Sequence, residues 1–177
     1  MPAVTNRLVL LRLTKYLMGL LAFAFLYVLV DFMVDIRPAA IHASYRFTLS
    51  QIPLDQPVWL RQDNLTILLI HRSRAVIEAI KKRKKGLQDA NSSSSHQPSY
   101  TRNTLRSRDE RYFVAYGLGT DLGCRLITDT DQTLRESCSM ARYDFAGRAI
   151  TGNSRFLNLR IPDYTFDQTF SVLTVNP

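Results

Sequence analysis

An uncharged apolar run near the N-terminus sets the first limit on what this chain can fold into. Every residue from position 16 to 30 is Leu, Met, Gly, Ala, Phe, Tyr or Val; Asp31 interrupts, and Phe32, Met33 and Val34 resume the run up to Asp35. Residues 16–34 come close to the roughly 20 apolar residues a helix needs to cross a bilayer. Arg7, Arg12 and Lys15 precede the run and no acid does. The positive-inside rule therefore places the N-terminus in the cytoplasm or matrix, and the remainder in the periplasm or intermembrane space. A buried core helix and a cleaved signal peptide are the competing readings. The second lacks support, because Ala39, Ala40 and Ala43 do not give the Ala-x-Ala spacing of a cleavage site. At 177 residues the chain suits one membrane segment (residues 1–36) and one soluble domain (residues 44–177).

The soluble part reads as mainly β. Tyr45, Phe47 and Leu49 alternate as a strand should. Residues 58–61 and 65–70 are apolar runs on either side of Gln62-Asp63-Asn64, a hairpin pattern. Ser73 is placed to cap a helix carrying Ala75, Val76, Ile77, Ala79 and Ile80. Lys81, Lys82, Arg83, Lys84 and Lys85 then precede Gly86, so positive charge gathers where the helix dipole favours it. The segment 72–85 thus reads as a basic helix, either a solvated helix end or a contact for anionic lipid or an acidic partner. It contributes much of the net charge of +8. Its side of the membrane argues against nucleic acid. Residues 86–108 are polar, with serines from 92 to 95, and read as a disordered loop. Further strands are expected at 111–116, around a turn at 143–148, and at 157–161 and 169–174.

Both cysteines, Cys124 and Cys138, fall within residues 117–150, each in a short turn-like run between strand-like segments. Two cysteines are too few for a disulfide scaffold, and a single bond between them would not persist in a reducing cytosol. The first run is Gly119-Thr120-Asp121-Leu122-Gly123-Cys124. The second is Glu136-Ser137-Cys138-Ser139-Met140-Ala141-Arg142-Tyr143-Asp144. Gly117-Leu118-Gly119 opens no helix and is too short to signal a phosphate loop. The histidines, His42, His71 and His96, all lie upstream of both runs, and no Ser–His–Asp arrangement is suggested.

Across most of its length the sequence resembles the Rieske iron–sulfur proteins, the membrane-anchored subunits of cytochrome bc complexes. That family carries Cys-Thr-His-Leu-Gly-Cys and Cys-Pro-Cys-His-Gly-Ser-x-Tyr-Asp loops, in which the first Cys and the His of each bind the cluster and the other two cysteines pair. Gly147-Arg148, Leu157-Asn158-Leu159 and Ile161-Pro162 also match the family. The resemblance implies a Rieske-like antiparallel β domain on one N-terminal transmembrane helix, joined by a flexible neck at residues 37–43. It implies a Cys124–Cys138 disulfide, the alternative being two free buried thiols. It also implies that Gly119, Asp121, Glu136 and Ser139 stand where the four cluster ligands would be. Shifting the register to make Cys124 and Cys138 the ligands puts Leu126 and Met140 at the histidine positions. Neither supplies the two imidazoles such a centre requires. Met140 and Ala141 replace a glycine and a serine of the second loop, Tyr143 is kept, and the loop that shields the cluster corresponds to residues 152–156, without a proline.

The resulting expectation is a non-catalytic protein with no cofactor: a cluster-less structural or regulatory subunit of a cytochrome bc-type respiratory complex or supercomplex. Its partners would be subunits of that complex, an intact Rieske protein or a terminal oxidase. Three alternatives remain: a functional [2Fe–2S] electron-transfer subunit, a hard-cation site built from Asp121, Glu136 and Ser139, and a membrane-tethered binding module unrelated to respiration.

Overall fold

The structure is a computed structural model that describes residues 2–33, 44–49, 51–129, 131–150 and 156–177. It divides into two units, Met1–Ile41 and His42–Pro177. The expected neck at 37–43 and most of the 152–156 loop lie outside the described residues.

The first unit is one helix, α1 (Pro2–Met33). Its apolar side chains between Leu8 and Phe32 are exposed all round, with no polar stripe to turn towards water. The stretch Arg7–Phe32 is 26 residues, about 39 Å at a helical rise of ~1.5 Å per residue, ample for a bilayer core. The Thr14 hydroxyl donates to the Leu10 carbonyl (2.8 Å), so even this polar group is satisfied within the helix.

The second unit is built from three three-stranded antiparallel sheets. In the first, β1 (Tyr45–Thr48) pairs with β9 (Val172–Asn176), which pairs with β8 (Asp163–Phe166). In the second, β2 (Pro57–Gln62) and β3 (Leu65–His71) form the expected hairpin and β4 (Tyr112–Tyr116) lies on the other side of β3. The third is a meander of β5 (Leu126–Asp129), β6 (Thr133–Glu136) and β7 (Arg142–Asp144). One apolar core joins them. It includes Ile67, Leu68, Leu69 and Ile70 of β3, Phe113, Val114 and Ala115 of β4, Leu126, Leu134 and Tyr143 of the third sheet, and Tyr164, Leu173 and Val175 of the first. The unbroken apolar run of β3 follows from its place: a central strand covered on both faces has no polar side to show.

Between β3 and β4 lies α2 (Arg74–Lys82), capped as expected by Ser73, whose Oγ accepts from the Val76 N–H at 3.3 Å. Val76, Ile77 and Ile80 are buried, while Lys81, Lys82, Arg83, Lys84 and Lys85 are exposed. Lys81 is paired with Glu110 at 3.1 Å. Arg72, grouped with the basic helix in sequence, is instead 1% exposed and belongs to the interior.

Residues 86–108 are folded rather than disordered. Ser92, Ser95, Thr101, Leu105, Arg106 and Ser107 are buried. The Asp89 carboxylate accepts from the Ser93 and Ser94 N–H groups (2.8 and 3.0 Å) and from the Ser95 hydroxyl (2.8 Å). The serine run is therefore a tight polar turn, the kind of local side-chain-to-backbone bonding that Asp and Ser favour over helix or strand. Two buried arginines clamp the segment. Arg72 donates to the Leu105 carbonyl (3.0 Å) and Ser107 Oγ (2.6 Å). Arg106 donates to the Gly147 and Leu159 carbonyls (2.9 and 2.7 Å) and to Gln97 Oε1. A third, Arg148, pairs with Asp144 at 2.7 Å and donates to the Ile80 carbonyl at the end of α2 (2.9 Å). Burial lowers the pKa of Arg72 to about 10 and of Arg106 to about 9.

Two strand expectations shift. Residues 157–161 form no strand; the chain pairs only from Asp163, as β8. The segment joining the cysteine loops, read as a plain connection, is the β5–β6 hairpin.

Candidate functional site: a carboxylate between two loops

The loop after β4 and the turn after β6 meet at one end of the third sheet. Their covalent tie is the Cys124–Cys138 disulfide, with Cα atoms 6.0 Å apart, within the ordinary range for such a bond. Cys124 is half-buried and Cys138 exposed.

Their second tie is Glu136. It ends β6, and its backbone is held by the Ala141 carbonyl, which accepts from the Glu136 N–H at 3.0 Å. Its side chain points into the first loop and is 0% exposed. Oε1 accepts from the Leu122 N–H (3.0 Å) and the Cys124 N–H (2.6 Å). Oε2 accepts from the Asp121 N–H and the Ser139 hydroxyl, both at 3.2 Å. Gly123, at φ +74°, makes the left-handed bend that turns these amides inward. Converging backbone N–H groups form a concavity for an anion, and here the anion is a side chain of the same protein.

Gly119 follows from this arrangement. A Cβ there would lie 2.4 Å from both Cδ and Oε2 of Glu136, so any side chain would force the carboxylate to move. Its N–H donates to the Cys124 carbonyl at 2.8 Å, closing the loop on itself. The neighbouring Thr120 N–H donates to the Tyr143 hydroxyl at 3.0 Å, and the Thr120 hydroxyl donates to the Leu157 carbonyl. Burial raises the Tyr143 pKa against the opposing hydrogen bonds of Thr120. Tyr143 is thus a neutral phenol that fixes the first loop to the floor of the site.

The four positions singled out in sequence, Gly119, Asp121, Glu136 and Ser139, are therefore gathered at one point. What sequence reasoning missed is what they do together: Glu136 is the anion, Asp121 lends its amide, Ser139 its hydroxyl and Gly119 its empty space. Nothing in the local sequence distinguishes Glu136 from an exposed turn glutamate.

A [2Fe–2S] centre of the Rieske type requires two thiolates and two imidazoles, and these residues do not fit it. Gly119 has no donor atom. The space beside it holds the Glu136 carboxylate, and both carboxylate oxygens already accept hydrogen bonds. Ligand atoms of Cys124, Glu136 and Cys138 lie within 4.8 Å of one another, but the two sulfurs are bonded together and offer no thiolate. His71 stacks on Tyr112, with ring centroids 4.6 Å apart. His96 lines a cleft of about 450 Å³ that the first loop borders at Gly119, Thr120 and Gly123, with Leu157 and Arg160 on its other sides. The hard-cation reading fails for the same reason: Glu136 faces amide hydrogens, where a cation would be repelled. Around the site Leu118, Leu122, Met140 and Leu157 are exposed, Met140 at 82%.

Fold and site define a small antiparallel β head with a disulfide-tied two-loop tip, preceded by an apolar helix. No family model matches the sequence. Among characterised proteins it is similar to the ubiquinol–cytochrome c reductase iron–sulfur subunit of Allochromatium vinosum, 25% identical over 162 residues, covering 83% of this chain and 78% of the relative. Among solved structures it is similar to a chain of a hyperthermophilic respiratory Complex III, with a TM-score of 0.47, 19% identity, and 90% and 96% of the two chains covered. The chain is thus similar to an iron–sulfur subunit of ubiquinol–cytochrome c reductase, and it carries an antiparallel β head and an N-terminal helix long and apolar enough to cross a membrane.

Proposed function

We propose that this protein is a cluster-less, non-redox subunit of a cytochrome bc-type respiratory complex, a structural or regulatory part that keeps the Rieske-type head and lacks electron transfer. The observation that carries this reading is the Glu136 carboxylate, which occupies the space between the two loops and uses their amide N–H groups. Gly119 and Glu136, at two of the positions where the family has cysteine ligands, form a matched pair: one gives up volume and the other fills it. Carboxylate and disulfide together do the mechanical work of a metal cross-link. The tip keeps its shape without iron, and with it an exposed apolar rim at Leu122 and Met140 suited to protein contact.

The reading extends to topology and partners. Arg7, Arg12 and Lys15 on the N-terminal flank favour a cytoplasmic or matrix N-terminus. The head then lies in the periplasm or intermembrane space, where the disulfide is stable. The partners are subunits of the bc-type complex, with an intact Rieske protein or a terminal oxidase as the neighbouring redox component.

The test is purification of the full chain in mild detergent, followed by iron analysis, visible absorption, electron paramagnetic resonance and identification of co-purifying proteins. Colourless, iron-free protein recovered with cytochrome subunits is the expected result. A reducible iron–sulfur signal would reinstate the electron carrier. Iron-free protein recovered without cytochromes would leave a membrane-tethered binding module unconnected to respiration.

A further inference from the structure

A second concavity lies away from the two-loop tip, between the second and third sheets. It is a cleft of about 390 Å³ lined by Trp59 and Arg61 of β2 and by Arg125, Leu126, Ile127 and Thr128 at β5. Both walls are edge strands: β2 lies outermost in the order β2-β3-β4, and β5 outermost in the order β5-β6-β7. In an antiparallel edge strand alternate backbone N–H and C=O groups point away from the sheet and await a partner. On the β5 side the Leu126 N–H is already engaged by the Gly117 carbonyl, which leaves β2 as the more open template.

The side chains supply the selectivity. Trp59 and Arg61 are two apart on β2 and so share a face, as do Arg125 and Ile127. The lining holds two arginines and no acid. Among the described residues neither guanidinium has a hydrogen-bonded or ionic partner, in contrast to Arg111 with Asp109 and Arg142 with Asp129. The indole N–H of Trp59 is covered and has no acceptor. The cleft therefore offers two unpaired cations and an aromatic wall beside an open strand edge.

We propose that this cleft receives an extended, acidic polypeptide segment of a partner protein, which adds to the β2 edge by main-chain hydrogen bonds. Its carboxylates engage Arg61 and Arg125, and an apolar side chain two residues along, on the same face of the added strand, packs on Trp59 and Ile127. Strand addition of this kind draws affinity from the main chain and specificity from alternate side chains. An edge-strand wall fits a peptide backbone, not the headgroup of an anionic lipid.

Trp59 is the single tryptophan of the protein, so its fluorescence reports on the cleft. The full chain, held in phosphatidylcholine nanodiscs, is titrated with an eight-residue valine–glutamate peptide of repeating Glu-Thr-Val-Thr, which places glutamate and valine on one face of a strand, with its valine–lysine counterpart and with free glutamate. The expected result is a saturable change in Trp59 emission with the valine–glutamate peptide alone. Binding should weaken about tenfold or more in the Arg61→Ala/Arg125→Ala variant and at raised ionic strength. Should that variant misfold, Arg125→Glu tests the same point by shifting preference towards the valine–lysine peptide. No change up to millimolar peptide, or equal responses to both peptides, would overturn the proposal. So would saturation by free glutamate at the same concentration, which would mark a simple anion pocket. An emission change produced by phosphatidylglycerol discs without peptide would also overturn it, in favour of lipid. All of these outcomes are independent of whether the tip holds iron.

Discussion

The two-loop tip and the clamp on residues 86–108 solve the same problem with opposite signs. At the tip a buried carboxylate, Glu136, is surrounded by backbone N–H groups. At the clamp two buried guanidiniums, Arg72 and Arg106, are surrounded mainly by backbone carbonyls. Neither region relies on an ion pair with a carboxylate; Arg148 with Asp144 is the buried salt bridge that stands between them. In both, peptide dipoles replace the water that the charge has lost, which is the condition for burying a charge at all. The difference lies in how many elements each charge holds. Glu136 joins two loops already tied by a disulfide. Arg106 joins residues 86–108 to the turn after β7 and to the segment that leads to β8. The tip is therefore a local cross-link and the clamp a global one.

The strongest way to break that contrast is Arg106→Ala. It orphans the carbonyls of Ala146 and Leu159, leaves that of Gly147 with the Leu159 N–H alone, and opens a large cavity, at a cost of roughly 3–5 kcal/mol. Because the clamp is global, urea unfolding of the head should shift as one transition to lower denaturant. Local exchange of residues 86–108 with the rest unchanged would show that segment to be separable.

A smaller and more local effect is expected at the tip. Glu136→Ala leaves three amide donors unpaired, a loss of about 3 kcal/mol confined to the loops. Hydrogen exchange should rise at Asp121, Leu122 and Cys124 before it rises in β3. Gly119→Ala alone should cost about 1–3 kcal/mol by overpacking against the carboxylate. Combined with Glu136→Ala, most of that cost should vanish, since the added methyl then enters vacated space. A double-mutant cycle with coupling near zero would refute the paired reading of these two positions.

The smallest effect concerns the Asp89 turn. Burial by itself would raise the Asp89 pKa, but hydrogen bonds from Ser95, Ser93 and Ser94 outweigh it and hold the value below the ordinary 3.8. A carboxylate with a depressed folded-state pKa stabilises the fold above its unfolded value and loses that contribution as pH falls through the folded one. Amide exchange at Ser93 and Ser94, corrected for intrinsic rate, should therefore be flat from pH 7 to about 4 and accelerate relative to the core below pH 3.8. Unchanged protection at pH 2 would show that the turn is held by the Arg106 clamp alone.

How much of this was legible in the sequence depends on the range of the interaction. The α1 helix, the β2–β3 hairpin and the Ser73 cap are written in neighbouring residues, as apolar length, period-two alternation and a capping hydroxyl. The disulfide was legible only through the resemblance to the Rieske loop pattern, which implied that the two cysteines are bonded and not free thiols. The order of residues 86–108 was not legible. Its composition is that of a linker, and the arginines that fold it, Arg72 and Arg106, find acceptors up to 73 residues away. Nor was the β5–β6 hairpin, whose short alternating strands are diluted by Arg135, Asp129 and Asp131.

The sequence by itself determined that the chain carries an apolar anchor and a β head, and that Gly119, Asp121, Glu136 and Ser139 lack the donors a Rieske centre needs. These are properties of residue type and spacing, and no folding can add a thiolate or an imidazole where none is encoded. Tertiary structure alone decided what these four residues do together. Whether a glutamate is a solvated turn residue or a buried anion depends on where the amides of a loop 12 to 15 residues away are pointed. That orientation is set by Gly123, by Tyr143 beneath Thr120 and by the disulfide acting together.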